Sequence, residues 1–208
     1  MISILLASIA KLGLFLGHMN TYAAVVLVGL FTRYRNIIAR ALCLLLFTIV
    51  YNVYLKSIWK VPLPEPLVGW AFPSGHMHSA VVFWGWLAWE MRTRWAFIAA
   101  TVIYILVGYA LVYYGYHYPT DILGSLAFGC TSIVIYGLLN RIKIFKEQPY
   151  YLALLLTALA LFIAIVLLPP AGRKPHMWHA LTILLGFSFG WLMSNPRSRI
   201  VLGKAASK

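Results

Sequence analysis

The sequence predicts an all-α fold, a polytopic membrane helix bundle with six to seven transmembrane helices. Of its 208 residues, 62% are hydrophobic and only 10% are charged, whereas a soluble domain carries about 25% charged residues. Apolar runs of about 20 residues recur along the chain, which is the length that a helix needs to cross a bilayer. The runs are continuous and lack the two-residue alternation of an outer-membrane strand, so the spans are predicted to be helices.

The apolar runs place the spans at residues 18–32, 36–56, 75–91, 95–114, 119–140, 150–169 and 177–194. Segment 2–17 is short and contains Lys11, so it either lies in the membrane interface or extends the first span. Its apolar stretch follows no basic leader, and we expect no cleavable signal peptide. No repeat or low-complexity linker divides the chain, which predicts a single domain over residues 1–208 with its core motifs within 36–140.

The distribution of basic residues predicts which side of the membrane each loop faces. The net charge is +13, but the basic residues lie between apolar runs, which indicates cytoplasmic loops and anionic lipids and not nucleic acid. One set of loops carries twelve of them: Arg33, Arg35, Arg40, Arg92, Arg94, Arg141, Lys143, Lys146, Arg197, Arg199, Lys204 and Lys208. The opposite set carries four: Lys56, Lys60, Arg173 and Lys174. The first set is predicted to be cytoplasmic, and the second to face the periplasm or exterior of a bacterial inner membrane.

Two short strings of polar residues lie on the predicted outer side. Pro73-Ser74-Gly75-His76 opens one span, and His117 precedes another that contains Asp121, the chain's only aspartate. Ionisable residues at the ends of membrane helices are costly to desolvate and therefore suggest function. Gly75 lets a ligand approach the backbone closely, and the helix that begins there presents free amides to a phosphate. The combination suits phosphoryl transfer through a histidine nucleophile.

These residues resemble the type 2 phosphatidic acid phosphatase superfamily, to which vanadium haloperoxidases are related. Three motifs characterise that family: Lys with Arg-Pro seven and eight residues on, Pro-Ser-Gly-His, and Ser-Arg-x5-His-x3-Asp. The second motif is intact at residues 73–76, and the third retains His117 and Asp121 at the family's spacing. The first retains Lys56 and Pro64. The resemblance covers roughly residues 36–140, and the pairing of two motifs at this spacing makes it specific.

Two departures from the family pattern remove its phosphate-binding arginines. Leu63 stands at the arginine of the first motif, and Ala110-Leu111 stand at the Ser-Arg pair of the third. An arginine fork binds phosphate through two parallel hydrogen bonds, and leucine offers nothing comparable. Each preorganised donor that is lost can remove roughly 2.7–4 kcal/mol of transition-state stabilisation. The anion site is therefore expected to be depleted, while the histidine pair remains.

The resemblance implies a role for each retained residue. His117 is the expected nucleophile, Asp121 holds one of its ring nitrogens, and His76 is the general acid. Ser74 and Gly75 are expected to contact phosphate oxygens, although the Ser74 hydroxyl also suits an N-cap. Lys56 is expected to supply positive charge to the phosphate. The alternative is that its side chain only extends from a span end to the membrane interface.

Further cations and small residues suggest additional contacts. Lys60, Arg173 and Lys174 lie on the motif side, and one of them is a candidate replacement for a missing arginine, the alternative being ordinary loop charges. No metal or other cofactor is expected. His76 and His78 are two residues apart, so on a helix their side chains face apart, and no acidic cluster accompanies them as further metal ligands. Gly186 and Gly190 in the last span have the spacing of a helix-packing surface, which raises a homodimer as a hypothesis.

Three functions are compatible with the sequence. The first is a membrane lipid phosphatase that hydrolyses a lipid phosphate or diphosphate at the non-cytoplasmic face through a phosphohistidine. The second is a lipid headgroup or phosphate transferase, since the leucines favour a less charged group. The third is a non-catalytic lipid-binding member of the same fold, which the two lost arginines favour and the intact histidines disfavour.

Overall fold

The computed structural model describes residues 1–194, which form helices joined by loops, the longest of them over residues 60–74. Arg197, Arg199, Lys204 and Lys208, which entered the count of cytoplasmic charges, lie outside the described residues. The helices are α1 (Ile2–Leu16), α2 (Met19–Leu30), α3 (Arg35–Trp59), α4 (Gly75–Met91), α5 (Arg94–Tyr113), α6 (Pro119–Leu139), α7 (Lys143–Glu147), α8 (Pro149–Phe162) and α9 (Pro175–Ser194). A π-helical turn (Ile163–Leu167) extends α8, and a 3-10 turn (Pro170–Gly172) follows it.

The predicted membrane bundle is confirmed, and residues 1–194 contain five helices long and apolar enough to cross a bilayer. They are α3, α5, α6, α8 with its π-helical turn, and α9. The bent pair α1 and α2 makes a sixth if it forms one span. Helix α4 has 17 residues, which is the short limit for a membrane-crossing helix.

The first predicted span, 18–32, corresponds to a helix that is too short to cross a bilayer by itself. The helix there, α2, has only 12 residues, and α1 precedes it at an angle of 53°. The break falls at His18, whose backbone is extended and whose Nδ1 accepts a hydrogen bond from the amide of Asn20. An N-cap of this kind starts a new helix inside a continuous apolar run, and it lies at the boundary predicted between segment 2–17 and the span 18–32.

Helix α4 lies at the centre of the bundle, packed against α3, α5 and α6. Phe83 and Trp86 on α4 are fully buried. Close packing depends on Gly129 of α6, because a Cβ there would lie 2.5 Å from a methyl group of Val81. The phenol of Tyr104 on α5 donates to the carbonyl of Val81 at 3.0 Å. These contacts fix the position of α4, whose first residues are Gly75 and His76.

Helices α8 and α9 pack on α3 and on each other, with a hydrogen bond of 3.0 Å between the hydroxyls of Thr157 and Ser188. This packing carries the loop between α8 and α9 to the end of α3 that bears Lys56. Gly186 and Gly190 are open, with no atom of the described chain within 4 Å of a Cβ built on either. The homodimer through this face stays a prediction.

Candidate active site

The loop between α3 and α4 folds back over the end of α3. The amide of Ala71 donates to the carbonyl of Val61 at 2.7 Å, and that of Leu63 donates to Gly69 at 3.1 Å. The Lys56 ammonium group donates to the carbonyl oxygens of Trp70 and Ala71. The lysine is thereby held in one orientation at the mouth of the bundle, where its charge is available to a ligand.

Ser74 joins the first turns of α4 and α6. Its hydroxyl accepts from the amide of Met77 at 3.5 Å as the N-cap of α4, and its side chain is fully buried. Its backbone amide donates to the carbonyl of Asp121 at 3.3 Å. Its carbonyl accepts from the hydroxyl of Ser125 at 2.9 Å, and that hydroxyl also lies 2.7 Å from the Asp121 carbonyl. Ser74 therefore fixes the two motifs relative to each other, and its hydroxyl occupies the helix cap.

His117 and Asp121 form a buried pair at the start of α6. The Nδ1 atom of His117 lies 3.2 Å from Oδ2 of Asp121, which also accepts from the Tyr118 amide at 2.9 Å. Asp121 is fully buried, and His117 is 9% exposed. A carboxylate only accepts hydrogen bonds, so Nδ1 carries the proton and Nε2 keeps a free lone pair. This tautomer is the one that a nitrogen nucleophile requires.

The surroundings of His117 favour its neutral form. Burial lowers the pKa of His117 to about 4, and the positive charge of Lys56 acts in the same direction, whereas the hydrogen bond to Asp121 and its charge oppose them. Desolvation disfavours the charged form of an imidazole. At neutral pH the ring is therefore uncharged, with Nε2 unprotonated.

Asn52 is a site residue that the motif analysis missed. Its Nδ2 atom donates to the carbonyl of Pro73 at 3.3 Å and lies 3.2 Å from Nδ1 of His78. Its Oδ1 atom lies 3.3 Å from the position that a Cβ on Gly75 would take. A buried amide in an apolar span, one helical turn before Lys56 and on the same face, is the signal that would have identified it.

Replacing Asn52 with alanine is expected to destabilise the protein by about 1–3 kcal/mol, because the Pro73 carbonyl and the His78 ring are left buried without their partner. A thermal unfolding curve in detergent measures the change. Thr131→Ala is the control, since its exposed hydroxyl bonds only within α6 to the carbonyl of Ala127. Equal melting temperatures for the Asn52→Ala variant and the wild type would contradict this role.

A cavity of about 490 Å³ lies among these groups. Its lining includes Lys56, Gly75, His76 and His117 from the two motif regions, and Lys174 and His176 from the loop before α9 and its first turn. Ser74 and Asp121 are buried behind this surface. A second groove of about 530 Å³, among α2, α3 and α4, is lined by no His, Lys, Arg, Asp or Glu residue. The histidine cavity is therefore the place where chemistry is expected.

Of the three additional cations, the structure brings only Lys174 to this cavity. Lys60 is exposed at the C-cap of α3 and does not line it. Arg173 donates from Nη2 to the carbonyl of Ile165 at 3.0 Å and from Nε to that of Leu168 at 3.3 Å. It therefore binds the end of the π-helical turn and not the cavity.

The positions of the missing family arginines lie in different surroundings. Leu63 is part of the cavity lining, so the cavity has an apolar wall where the family pattern has a cation. Ala110 and Leu111 are buried in the core of α5 at 0% and 1% exposure. Within residues 1–194, no three His, Cys, Asp or Glu side chains converge as metal ligands would.

Comparison with known proteins places these motifs in a family. The family model described as PAP2 superfamily matches residues 52–144. Phosphatidylglycerophosphatase B of Bacillus subtilis (strain 168) is 31% identical over 96 residues, which is 40% of this chain and 47% of that protein. The chain thus matches about half the length of this curated relative. No solved structure matches the chain. Residues 52–144 therefore match the PAP2 superfamily, and the resemblance drawn from the motifs is confirmed.

Proposed function

We propose that the protein is a membrane lipid phosphatase that cleaves a lipid phosphate or diphosphate through a phosphohistidine at His117. The observation that carries the proposal is the His117–Asp121 pair, 3.2 Å apart, beside His76 and Lys56 in one cavity. The family match over residues 52–144 and the lipid phosphatase named among its relatives support the same reaction class.

In the first step, Nε2 of His117 attacks the phosphorus atom of the substrate. The N–P bond forms as the bond between phosphorus and the leaving oxygen breaks, and His76 donates a proton to that oxygen. Asp121 accepts the Nδ1 hydrogen bond and stabilises the positive charge that develops on the ring. The Lys56 ammonium group stabilises the charge on the phosphoryl oxygens.

In the second step, water attacks the phosphorus atom of the phosphohistidine. Neutral His76 accepts a proton from that water, the N–P bond breaks, and inorganic phosphate leaves. The imidazole of His117 returns to its unprotonated state at Nε2, and His76 returns to its protonated state. The net reaction consumes one water and yields the lipid alcohol, or the lipid monophosphate from a diphosphate, together with phosphate.

The position of the cavity suits an amphipathic substrate. Apolar side chains such as Ile49, Val53 and Val68 share the lining with the lysine and histidines, and the cavity lies at the ends of apolar helices. We propose that the headgroup enters the cavity while the hydrocarbon chains stay in the bilayer. Among the described residues, eight basic side chains lie in the loops and helix ends of the opposite side and four on the cavity side, which supports a cavity facing the periplasm or exterior.

Turnover by the purified protein tests this function. The protein is incubated in detergent with EDTA and a panel of phosphatidate, phosphatidylglycerophosphate, a sphingoid-base phosphate and a prenyl diphosphate. We expect inorganic phosphate from at least one of them. A new phospholipid without free phosphate would instead indicate a transferase, and neither product from folded protein would indicate lipid binding without catalysis.

The pH dependence of kcat/KM is expected to reflect the lowered pKa of His117. The nucleophile must be neutral, and its pKa is lowered to about 4, so its protonation should reduce the rate only as pH falls toward that value. An ordinary histidine with a pKa of about 6.5 would already be mostly protonated at pH 5.5. An acid limb of the kcat/KM profile with its midpoint at or above pH 6.5 would contradict this assignment.

A further inference from the structure

Two basic side chains of the cavity come from outside the family-matched residues. Lys174 and His176 line the same cavity as His76 and His117, although the PAP2 match ends at residue 144. They lie at the start of α9, which packs against α3. The segment between α8 and α9 and the first turn of α9 therefore contribute side chains to the cavity that lie outside the family motifs.

The segment is held in place by its own contacts. The guanidinium of Arg173 donates to the carbonyls of Ile165 and Leu168, and the amide of Gly172 donates to that of Pro169 at 2.9 Å. The carbonyl of Lys174, the residue after Arg173, accepts a hydrogen bond from the Met177 amide at 3.1 Å. Met177 is fully buried. The backbone on both sides of Lys174 is fixed, so its position beside the cavity follows from the fold.

No carboxylate neutralises this part of the cavity. Among the described residues, the ion pairs are Arg40 with Glu90 and His117 with Asp121, and no Asp or Glu belongs to the lining. Asp121 lies behind His117 and is fully buried. A lysine that lines a pocket without an acidic partner leaves a positive potential for a ligand to neutralise.

The charged groups follow an order across the cavity. The groups that act electrostatically on His117 are Lys56, Asp121 and His76. His176 interacts with Lys174, and also with Lys56 and His76. Lys56 and His76 thus act on both His117 and His176, whereas neither Lys174 nor His176 is among the groups that act on His117, so the Lys174–His176 pair adds basic groups to a separate part of the cavity.

We propose that Lys174 and His176 bind a second anionic group of the lipid headgroup, while the phosphate that reacts lies at His117. The proposal rests on the phosphatase function proposed above and specifies its substrate class: a headgroup that carries two phosphate groups. Phosphatidylglycerophosphate, with a terminal phosphomonoester and an internal phosphodiester, is such a lipid. Phosphatidate, with one phosphate, is its matched comparison.

The kinetic test compares dioctanoyl forms of these two lipids. Lys174→Ala is expected to raise KM for phosphatidylglycerophosphate by about ten- to a hundredfold, the effect of losing a hydrogen bond to a charged group. The ratio of kcat/KM values for the two lipids should shift toward phosphatidate by at least about tenfold. Lys174→Arg, which keeps the charge, should restore most of the preference, and Lys60→Ala is the control on the same side. Equal losses on both lipids would place Lys174 at the reacting phosphate and overturn the proposal, as would no loss on either.

A binding measurement separates this proposal from the phosphatase function. If the wild-type protein releases phosphate from neither lipid, the function fails, but the affinity of each dioctanoyl lipid can still be measured by calorimetry. Weaker binding of phosphatidylglycerophosphate to Lys174→Ala than to Lys60→Ala, by about tenfold or more and without an equal effect on phosphatidate, would support the second anion site. Equal affinities in the two variants would overturn it.

Discussion

Replacing His117 with alanine is expected to lower phosphate release from a lipid phosphate by at least about a thousandfold, because loss of a nucleophile removes the covalent route. The ring is held by the hydrogen bond from Nδ1 to Asp121, which leaves Nε2 directed to the substrate. Alanine offers no nucleophile, and water at the same place lacks the Asp121 contact. The measurement is free phosphate in the presence of EDTA, on whichever lipid the wild-type protein turns over.

His179→Ala is the matched control for this variant. His179 is exposed on α9 and does not line the cavity, so its loss should leave the rate within about twofold of the wild type, as is usual for surface substitutions. A His117→Ala protein that melts like the wild type and keeps more than a tenth of its activity would contradict a nucleophilic role for His117.

Replacing Asp121 with asparagine is expected to lower kcat by about 10²–10⁴-fold. The corresponding change in a serine protease triad costs about 10⁴-fold because the histidine adopts the wrong tautomer. Oδ2 of Asp121 accepts from both the His117 ring and the Tyr118 amide. An asparagine oxygen in the place of Oδ2 would keep both hydrogen bonds but lose the negative charge that stabilises a positively charged ring, and an amide NH2 group in that place would favour the other tautomer of His117.

Asparagine has nearly the same size as aspartate. A loss of activity in Asp121→Asn can therefore be attributed to the lost carboxylate and not to altered packing. A thermal unfolding curve beside the kinetics shows whether the fold has survived. Ser125→Ala is the comparison, since it removes a hydroxyl that bonds to the Ser74 and Asp121 carbonyls without changing the carboxylate. A loss of less than about tenfold in Asp121→Asn would show that the carboxylate does not set the state of His117.

The central part of the site was predictable because the chemistry fixes short spacings. His117 and Asp121 are four residues apart, one turn at the start of α6, and Gly75 and His76 begin α4 directly after an N-cap. Long apolar runs likewise predicted α3, α5, α6, α8 and α9 to within a few residues.

The parts of the site that the sequence left open depend on packing between distant segments. No local spacing connects Lys174 with Lys56, and the two reach one cavity only because α9 packs on α3. The boundary between segment 2–17 and the span 18–32 was placed from the sequence, but the angle of 53° between the two helices depends on their packing. Leu63 was identified as a departure from the family pattern, but only the fold places it on the cavity wall and places Leu111 in the core.

Trapping the covalent intermediate tests the central claim most directly. The purified protein is mixed with its lipid substrate, labelled with ³²P at the reacting phosphate, and quenched within milliseconds in alkali, where phosphohistidine survives and acyl phosphates do not. We expect label on the peptide that contains His117 in the wild-type protein and none in His117→Ala. Turnover with no protein-bound label at any quench time, or label on a peptide without His117, would contradict the account.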